Sequence, residues 1–158
     1  MPDKHPSGSQ QGDHHKGVVA GVAVLIWRGD EVLLVKRAHS HGTGNWAPPG
    51  GHLEFDETFS ECAVREVREE VGIEIGEPHF LGITRDVFEE AGRSYVTIWM
   101  QAGYISGEAT AKATRELSEI GWFKWDDLPE PRFRALRHLL DGDCYPQGAN
   151  ELVGPKRE

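Results

Sequence analysis

"GHLEFDETFSECAVREVREEVGI", residues 51–73, is the segment that predicts most about the fold of this chain. It contains seven carboxylates in 23 residues, and three of them, Glu66, Glu69 and Glu70, lie in the last turns before Gly72. Like charges at this spacing repel one another, and the helix macrodipole disfavours negative charge near a C-terminus. The stretch therefore predicts that another group offsets the repulsion.

The same stretch predicts where a helix begins and ends. Thr58 and Glu61 fit a capping box, in which each side chain accepts a hydrogen bond from the backbone amide of the other residue. Helical spacing continues to Val71, and Gly72 is a typical stop. At about 100° per residue, the three clustered glutamates span about 100° of the helix and border its apolar stripe, at the seam with a sheet. The apolar stripe comprises Phe59, Ala63, Val64, Val67 and Val71.

The acidic cluster has two interpretations. One is a solvated charged face, in which Arg65 and Arg68 pair with neighbouring acids. The other is a site for a hard divalent cation such as Mg²⁺, which takes a few carboxylates, waters and substrate phosphates as ligands. The second interpretation accounts better for acids at a helix C-terminus. Gly50 and Gly51 allow close backbone approach just before the helix, where a free carbonyl could be a further ligand.

Upstream of the acidic helix, the sequence predicts a hairpin and a loop. The apolar, β-branched run at 18–27 predicts a strand buried on both faces, and 31–37 is its partner across the "GD" turn. Residues 38–45 are predicted as a loop. Residues 46–51 are predicted as extended or turning chain, because their two prolines exclude a helix.

Downstream of the acidic helix, the sequence predicts three strands and a second helix. Long strands are predicted at 79–89 and 93–106, joined by the "EEAG" turn, and a last strand with a turn is predicted at 119–128. The final helix is predicted at 131–140, with a proline in its first turn. This order predicts an α/β or α+β sandwich, in which helices flank a mixed β-sheet.

Length and charge exclude several classes of protein. The 158 residues suit one domain, expected at 17–145, between a disordered polar tail at 1–16 and a C-terminal tail at 146–158. A net charge of -9 argues against a nucleic-acid polymer as partner, since a phosphate backbone favours a basic surface. No apolar run approaches the roughly 20 residues that span a bilayer. Two distant cysteines, Cys62 and Cys144, fit a reducing cytoplasm and no disulfide framework.

The fixed residues of the opening stretch have the spacing of a known motif. Gly51, five residues, Glu57, seven residues and then "REVREEVGI" at 65–73 resemble the complete Nudix box. The order of elements from about Gly17 to Leu140 also resembles the Nudix fold. The resemblance implies hydrolysis of a nucleoside diphosphate linked to another group, with Mg²⁺ or Mn²⁺ as cofactor.

Carried over position by position, the resemblance implies roles for individual residues. The implied catalytic or metal-binding positions within the box are Gly51 (through its carbonyl), Glu57, Arg65, Glu66, Glu69 and Glu70. Arg65 matches the arginine that forms a bidentate ion pair with Glu57, and Glu70 is the expected direct metal ligand. Outside the box, the segment "TRELSEIGW" offers a further catalytic and metal-binding acid. Glu116 is favoured over Glu119 for that role.

The resemblance is nearest to members that hydrolyse nucleoside triphosphates to the monophosphate and pyrophosphate. It places His52, Thr97, Phe133 and Leu136 near the base of the substrate, with Phe133 as a stacking surface. The alternative for each is packing in the core or at the rim. Residues 134–135 depart from the purine pocket of one mammalian member, so the base preference stays open.

Other functions remain as alternatives. One is an ADP-ribose or nucleotide-sugar pyrophosphatase, and another is a nucleotide-sensing module, although such modules usually carry a damaged box. The general base is open among Glu69, Glu70 and Glu116. Two cysteines are too few for the four-cysteine zinc ribbon of the NADH-cleaving members. A small nucleotide is the expected partner; a homodimer is compatible with the resemblance, but no apolar pattern identifies its interface.

Overall fold

The fold is known for most of the chain: the computed structural model describes residues 17–38, 42–113 and 115–155. Within them, the strands are β1 (Gly17–Arg28), β2 (Glu31–Arg37), β3 (Trp46–Ala47), β4 (Gly50–His52), β5 (Glu74–Ile75), β6 (His79–Phe88), β7 (Arg93–Ser106) and β8 (Leu117–Lys124). The helices are α1 (Phe59–Val71) and α2 (Arg134–Leu140), and 3₁₀ turns occur at Glu89–Ala91 and Ala149–Leu152.

Strand β1 runs through the centre of the sheet. It pairs in parallel with β7 along almost its whole length, from Gly17 opposite Arg93 to Trp27 opposite Gly103. Its other edge pairs with β4 at the middle of the strand and with β2 at the end. β1 and β2 therefore diverge, and β4 fills the gap between them. This gap is where the glycine loop before α1 enters the fold.

The remaining strands extend the sheet on both sides. β2 pairs antiparallel with β3 and β8, and β7 pairs antiparallel with β5 and β6. Parallel and antiparallel ladders thus occur in one sheet. The predicted mixed sheet is confirmed.

Two apolar cores lie on opposite faces of the sheet. α1 covers the first core, whose buried residues include Val22, Val24, Ile26, Leu33, Val35, Cys62, Ala63, Val67, Val71, Ile98 and Met100. α2 covers the second core, which includes Leu25, Trp27, Val32, Leu34, Leu81, Trp99, Ala135, Leu136 and Leu139. Alternate residues of β1 and β2 enter different cores, as expected for strands buried on both faces. The predicted α+β sandwich with helices on both faces is confirmed.

The predicted bounds and caps of α1 are confirmed. Glu61 N donates to Thr58 Oγ1, and Thr58 N donates to a carboxylate oxygen of Glu61, both at 3.1 Å. Gly72 adopts the left-handed conformation, with φ of 72°. Its N–H donates to the carbonyls of Val67 and Arg68, which satisfies two of the last acceptors of the helix.

Two details of the predicted helices are wrong. The helix predicted at 131–140 begins only at Arg134, because Phe133 is extended (φ -58°, ψ 143°) and its N–H donates to the carbonyl of Trp46. Its proline therefore precedes the first turn. Phe59, which the helical spacing placed in the apolar stripe, is the first residue of α1 and is 43% exposed.

Two further features differ from the sequence pattern at the C-terminal end. The strand with a turn predicted at 119–128 is β8, which begins two residues earlier than predicted; the predicted turn follows Lys124. Beyond α2, Tyr145 and Ile83 exchange two backbone hydrogen bonds, and Ala149 is buried. A Cβ on Gly82 would lie 2.8 Å from the Cβ of Ala149, so this glycine lets the segment pack closely on β6.

Some predictions concern parts of the chain outside the described residues. They are the tail at 1–16, residues 39–41 of the predicted loop and residues 156–158 of the predicted C-terminal tail. Among the helices that the structure describes, none has the length and apolar character needed to traverse a bilayer.

Candidate active site

The three clustered glutamates of α1 differ in exposure. Glu70 is 9% exposed, whereas the side chains of Glu66 and Glu69 are 14% and 62% exposed. A carboxylate oxygen of Glu70 accepts a hydrogen bond of 3.3 Å from the N–H of Gly50 in β4. The structure thus places Glu66 and Glu70 at the seam between helix and sheet, and Glu69 toward solvent.

Arg65 binds acids on two sides. Its Nε and Nη2 donate to the two carboxylate oxygens of Glu57 at 2.9 and 2.7 Å, which forms a bidentate pair. Its Nη1 donates to Glu66 at 2.8 Å and to Glu69 at 3.2 Å. Its Nη2 also donates to the carbonyl of His52 at 3.2 Å. The guanidinium therefore ties the loop before α1 to two of the clustered glutamates.

Glu57 is fixed by two different donors. Besides the guanidinium of Arg65, the N–H of Glu54 donates to Glu57 Oε1 at 2.9 Å. The hydrogen bonds from Arg65 are the largest cause that lowers the pKa of Glu57, to about 2. The same bonds raise the pKa of Arg65 above its ordinary value. At neutral pH, Glu57 is therefore an oriented anion.

Glu66 occupies space that a glycine at position 51 leaves open. A Cβ on Gly51 would lie 2.3 Å from the carboxyl carbon of Glu66, and a Cβ on Gly50 would lie 2.1 Å from the carbonyl oxygen of Val22. The two glycines are thus needed for close approach to α1 on one side and β1 on the other. The carbonyl oxygen of Gly51 lies 4.0 Å from Cys62 Sγ, close to the start of α1.

The surroundings of Glu70 disfavour its charged form. Burial is the largest cause and the carboxylate of Glu66 the next, and with Glu116 they raise the pKa of Glu70 to about 8. The N–H of Gly50 and the guanidinium of Arg37 act in the opposite direction. Burial raises the pKa of Glu66 as well. A cation near these two acids would favour their charged forms.

The two acids predicted outside the box lie in different surroundings. Glu116, just before β8, acts electrostatically on Glu66 and Glu70 and raises the pKa of both. Glu119 is on β8 itself, where its exposed carboxylate lies 3.2 Å from Lys36 Nζ. The structure therefore brings Glu116 toward the clustered glutamates and leaves Glu119 in a surface ion pair.

Arg37, at the end of β2, is a site residue that the sequence pattern did not reveal. Its guanidinium lies over the ring of Phe133, 4.5 Å from the centroid. Burial lowers the pKa of Arg37, while Glu70, Glu116 and Tyr95 favour its charged form. A cation thus lies beside the acids and the aromatic rings. The only signal in the sequence was a basic residue that ends an apolar strand, which is also typical of a rim charge.

The four residues predicted to contact the base have different positions. His52 is exposed, and its ring centroid lies 6.5 Å from that of Tyr95. Thr97 is half-buried on β7, two residues after Tyr95 and on the same face. Phe133 precedes α2 and contacts the arginine at the end of β2. Leu136 is completely buried in the second core, so its burial supports the alternative of core packing.

An aromatic and cationic rim lies beside these residues. The rings of Phe88 and Tyr95 pack edge to face, with centroids 5.4 Å apart. The guanidinium of Arg134 lies 4.6 Å from the centroid of Phe88 and donates to the carbonyl of Val87. A cavity of about 390 Å³ adjoins Phe88 at the ends of β1, β6 and β7. The spacing of aromatic residues in two strands did not predict that they would meet here.

The donor set around Glu70 suits a hard divalent cation. Such cations take oxygen ligands, and Glu66, Glu70 and Glu116 are carboxylates that oppose one another's charge. Among the described residues, no three His, Cys, Asp or Glu side chains already lie close enough to share an ion. Arg65 binds Glu66 and Glu69 instead. The fit of these residues to a divalent cation therefore rests on their carboxylate oxygens and on the repulsion between their charges, and not on a set of ligands that is already in place.

Comparison with known proteins agrees with the fold. The family model of the NUDIX domain matches residues 17–141. The chain therefore belongs to the Nudix family, as a MutT-like Nudix hydrolase.

Two curated relatives cover most of this chain. This chain is 37% identical to the NAD-capped RNA hydrolase NudC of Pseudomonas aeruginosa (strain LESB58) over 120 aligned residues. The aligned residues are 75% of this chain and 41% of that protein. It is 32% identical to the 8-oxo-dGDP phosphatase NUDT18 of Homo sapiens over 123 aligned residues. These are 76% of this chain and 36% of that protein. The chain spans less than half the length of either relative.

Solved structures share the whole architecture. The MutT NUDIX hydrolase from Burkholderia pseudomallei superposes with a TM-score of 0.76 at 28% identity, over 88% of this chain and 100% of that chain. The MutT protein from Methanosarcina mazei Go1 gives a TM-score of 0.61 at 25% identity, over 87% and 93%.

Proposed function

We propose that this chain hydrolyses a nucleoside triphosphate to the monophosphate and pyrophosphate, with Mg²⁺ or Mn²⁺ as cofactor. The observation that carries the proposal is the buried carboxylate of Glu70, whose pKa rises to about 8 because burial and Glu66 oppose its charge. A divalent cation would remove that opposition. It would also allow a protein of net charge -9 to hold a polyanionic substrate.

The proposed metal ligands are the carboxylates of Glu66, Glu69, Glu70 and Glu116, with the carbonyl of Gly51. When bound, the ion would neutralise charge on phosphate oxygens and lower the pKa of a bound water. Reactions of this kind require positioning and charge stabilisation more than covalent chemistry from the protein. Glu66 and Glu70 supply the buried part of the donor set, and Glu69 supplies an exposed carboxylate.

The reaction is a displacement by water. The water oxygen bonds to phosphorus, the anhydride bond between the α- and β-phosphates breaks, and pyrophosphate leaves. The proton of the water passes to a carboxylate, for which Glu69, Glu70 and Glu116 are the candidates. Arg37 acts electrostatically on Glu70 and Glu116, so it is placed to bind phosphate oxygens of the substrate.

Glu57 and Arg65 serve as positioning residues in this proposal. Their bidentate pair fixes the plane of the guanidinium, and that guanidinium contacts Glu66 and Glu69. The orientation of the proposed metal-binding acids thus depends on a charged group with little freedom to move. Neither residue needs to contact the substrate.

The aromatic rim supports a nucleobase as part of the substrate. His52, Thr97 and Phe133 are the residues proposed to contact the base, and the rings of Phe88 and Tyr95 extend the same surface. Aromatic faces stack on any base, so this surface supports binding of a nucleoside without selecting one. Leu136 is left out of this set, because it is completely buried.

A nucleoside diphosphate linked to another group is the second candidate substrate. The similarity to NudC, whose name describes hydrolysis of NAD-capped RNA, favours this class. ADP-ribose, nucleotide sugars and NAD share the pyrophosphate bond, so the same acids would serve. A module that binds nucleotides without cleavage is a weaker alternative, because every fixed position of the box is filled.

A substrate panel tests the proposal. Deoxynucleoside and nucleoside triphosphates, ADP-ribose, NAD, sugar nucleotides and an NAD-capped RNA are incubated with the protein and Mg²⁺, and the products are separated by ion-exchange chromatography. We expect a triphosphate to give monophosphate and pyrophosphate, and EDTA to abolish the reaction. Cleavage of ADP-ribose or NAD without cleavage of any triphosphate would establish the second candidate. No cleavage of any compound would support a binding module.

The compartment and partners follow from the same features. We propose a cytoplasmic location, since Cys62 and Cys144 are both unpaired. A small nucleotide is the proposed partner. A homodimer remains compatible with the family, and size-exclusion chromatography with light scattering would determine the oligomeric state.

A further inference from the structure

The segment between β7 and β8 is attached to the C-terminal end of α1. The N–H of Thr110 donates to the carbonyl of Val71 at 3.0 Å, and the N–H of Lys112 donates to the carbonyl of Glu70 at 2.8 Å. These bonds do not belong to a strand ladder or to the helix. They join two segments that are about 40 residues apart in the chain.

The two bonds satisfy two carbonyls at the end of the helix. The last four carbonyls of an α-helix have no partner within the helix. The N–H of Gly72 is shared between the carbonyls of Val67 and Arg68, which leaves those further along for other donors. The amides of Thr110 and Lys112 take two of them, and one is the carbonyl of Glu70 itself.

The same segment ends at Glu116, whose backbone is held at two points. Glu116 N donates to the carbonyl of Ala113 at 2.8 Å, and Ala38 N donates to the carbonyl of Glu116 at 2.7 Å. Ala109, Ala111 and Ala113, at alternate positions, pack against the first core. The segment is therefore fixed on its apolar side, at the helix end and at β2.

We propose that residues 110–113 and 115–116 form a strap, in which the bond from Lys112 N to the Glu70 carbonyl sets the position of Glu116 relative to the Glu70 side chain. Residue 114 lies outside the described residues and is not part of the proposal. The proposal rests on the proposed function, because it assigns Glu116 and Glu70 to one metal site. Lys112 is then a positioning residue that acts through its backbone amide.

The connection from one acid to the other is short. It runs from the Glu70 backbone across one hydrogen bond to Lys112, then along the chain to the turn between Ala113 and Glu116. The side chain of Lys112 covers the helix stop, since a Cβ on Gly72 would lie 2.5 Å from Lys112 Cε. The side chain and the amide of Lys112 can therefore be tested separately.

Substitution of Lys112 separates these two contributions. Lys112→Pro removes the N–H, which donates to the Glu70 carbonyl and also to the carbonyl of Thr110 at 2.9 Å, whereas the matched control Lys112→Ala keeps it and removes the side chain and its charge. Mn²⁺ binding is measured by electron paramagnetic resonance without substrate, and kcat and KM are measured with Mg²⁺ and the best nucleotide. We expect Lys112→Pro to weaken Mn²⁺ binding and to lower kcat by about 10-fold or more, since a misplacement of about 1 Å can cost about 100-fold. Lys112→Ala should match wild type in Mn²⁺ binding, kcat and KM.

Two results would overturn the strap. One is a folded Lys112→Pro variant that binds Mn²⁺ and turns over like wild type, and the other is an equal loss in Lys112→Ala. In either case, an active, Mn²⁺-binding wild type leaves the proposed function intact. A wild type that binds no Mn²⁺ and cleaves no nucleotide would instead remove the proposed function, and the strap with it.

Amide hydrogen exchange tests the strap without any substitution, and applies even if Lys112→Pro does not fold. Ligand binding slows exchange at amides whose hydrogen bonds are coupled to the site. We expect added Mg²⁺ to slow exchange of the Lys112 and Thr110 amides in the wild type. Exchange at both amides that is unchanged by saturating Mg²⁺ would contradict the proposal.

Discussion

The carboxylate of Glu66 rests against the backbone of Gly51, so closely that a Cβ at position 51 would lie 2.3 Å from the Glu66 carboxyl carbon. The loop before α1 and the acidic face of α1 thus pack closely because residue 51 has no side chain. A Cβ at Gly50 would clash with the backbone of β1, whereas a Cβ at position 51 would clash only with the far end of the flexible Glu66 side chain. A methyl group at position 51 can therefore be accommodated if Glu66 moves.

Gly51→Ala should therefore fold and lose function. We expect the methyl group to displace the Glu66 carboxylate, and kcat/KM to fall by about 10- to 100-fold. Circular dichroism and steady-state kinetics with Mg²⁺ check this. The matched control is Gly103→Ala in β7, where an added Cβ meets nothing within 4 Å. Equal activities of the two variants would show that the contact has no functional role.

Arg65→Lys should destabilise the protein and slow catalysis, because a lysine cannot reproduce the bidentate pair with Glu57. Loss of charged hydrogen bonds of this kind costs about 1–3 kcal/mol, measured as the free energy of urea unfolding. The control is Arg68→Lys, whose pair with Glu74 is also bidentate but exposed, so a smaller loss than in Arg65→Lys is expected. Similar losses in both variants would contradict the special role of Arg65.

Most of the site was predictable from the sequence because it lies within one local element. The spacing from Gly51 to Gly72 fixes the loop, the capping box and the helix, and these place Glu66 and Glu70 at the seam. Such local patterns depend on contacts a few residues apart. The strand alternation that separates the two cores is local in the same sense.

The parts that the sequence did not predict depend on distant contacts. Arg37 becomes a site residue only because β2 ends beside α1 and the residue before α2. Phe88 and Tyr95 meet because β6 and β7 pair in one register. Leu136 is in the core because α2 packs on the face of the sheet that carries Trp99. No spacing along the chain encodes these meetings.

Glu116→Gln and Glu119→Gln should differ sharply, although the two positions are three residues apart. Glu116 acts on Glu66 and Glu70, whereas Glu119 pairs with Lys36 on the surface. We expect Glu116→Gln to lower kcat by about 10-fold or more and Glu119→Gln to leave it within about twofold. Steady-state kinetics over a range of Mg²⁺ concentrations check this, and the reverse order of effects would assign the further acid to Glu119.

Metal-free protein should lose stability as the pH rises, and Glu70 should be a cause. The pKa of Glu70 is raised from its ordinary value of 4.5 to about 8 in the folded protein. Between these two values the folded state holds a proton that the unfolded state releases, so its contribution to stability falls as pH rises from about 4.5 to about 8. Glu57 has the opposite sign and titrates below pH 4.5.

Urea unfolding in EDTA at several pH values, for wild type and Glu70→Gln, isolates this contribution. We expect the variant to gain stability relative to wild type as the pH rises toward 8, by up to a few kcal/mol. Addition of Mg²⁺ at pH 8 should stabilise wild type more than the variant. A difference between the two proteins that is independent of pH would show that Glu70 is not the buried, opposed acid described here.

The most direct test of the proposed metal site is a crystal grown with Mn²⁺ and a non-hydrolysable nucleoside triphosphate, with data collected at the manganese absorption edge. We expect an anomalous peak within bonding distance of carboxylate oxygens of Glu66 and Glu70 and of phosphate oxygens of the nucleotide. A bound nucleotide with no manganese at these side chains at saturating Mn²⁺, or with manganese only elsewhere, would contradict it.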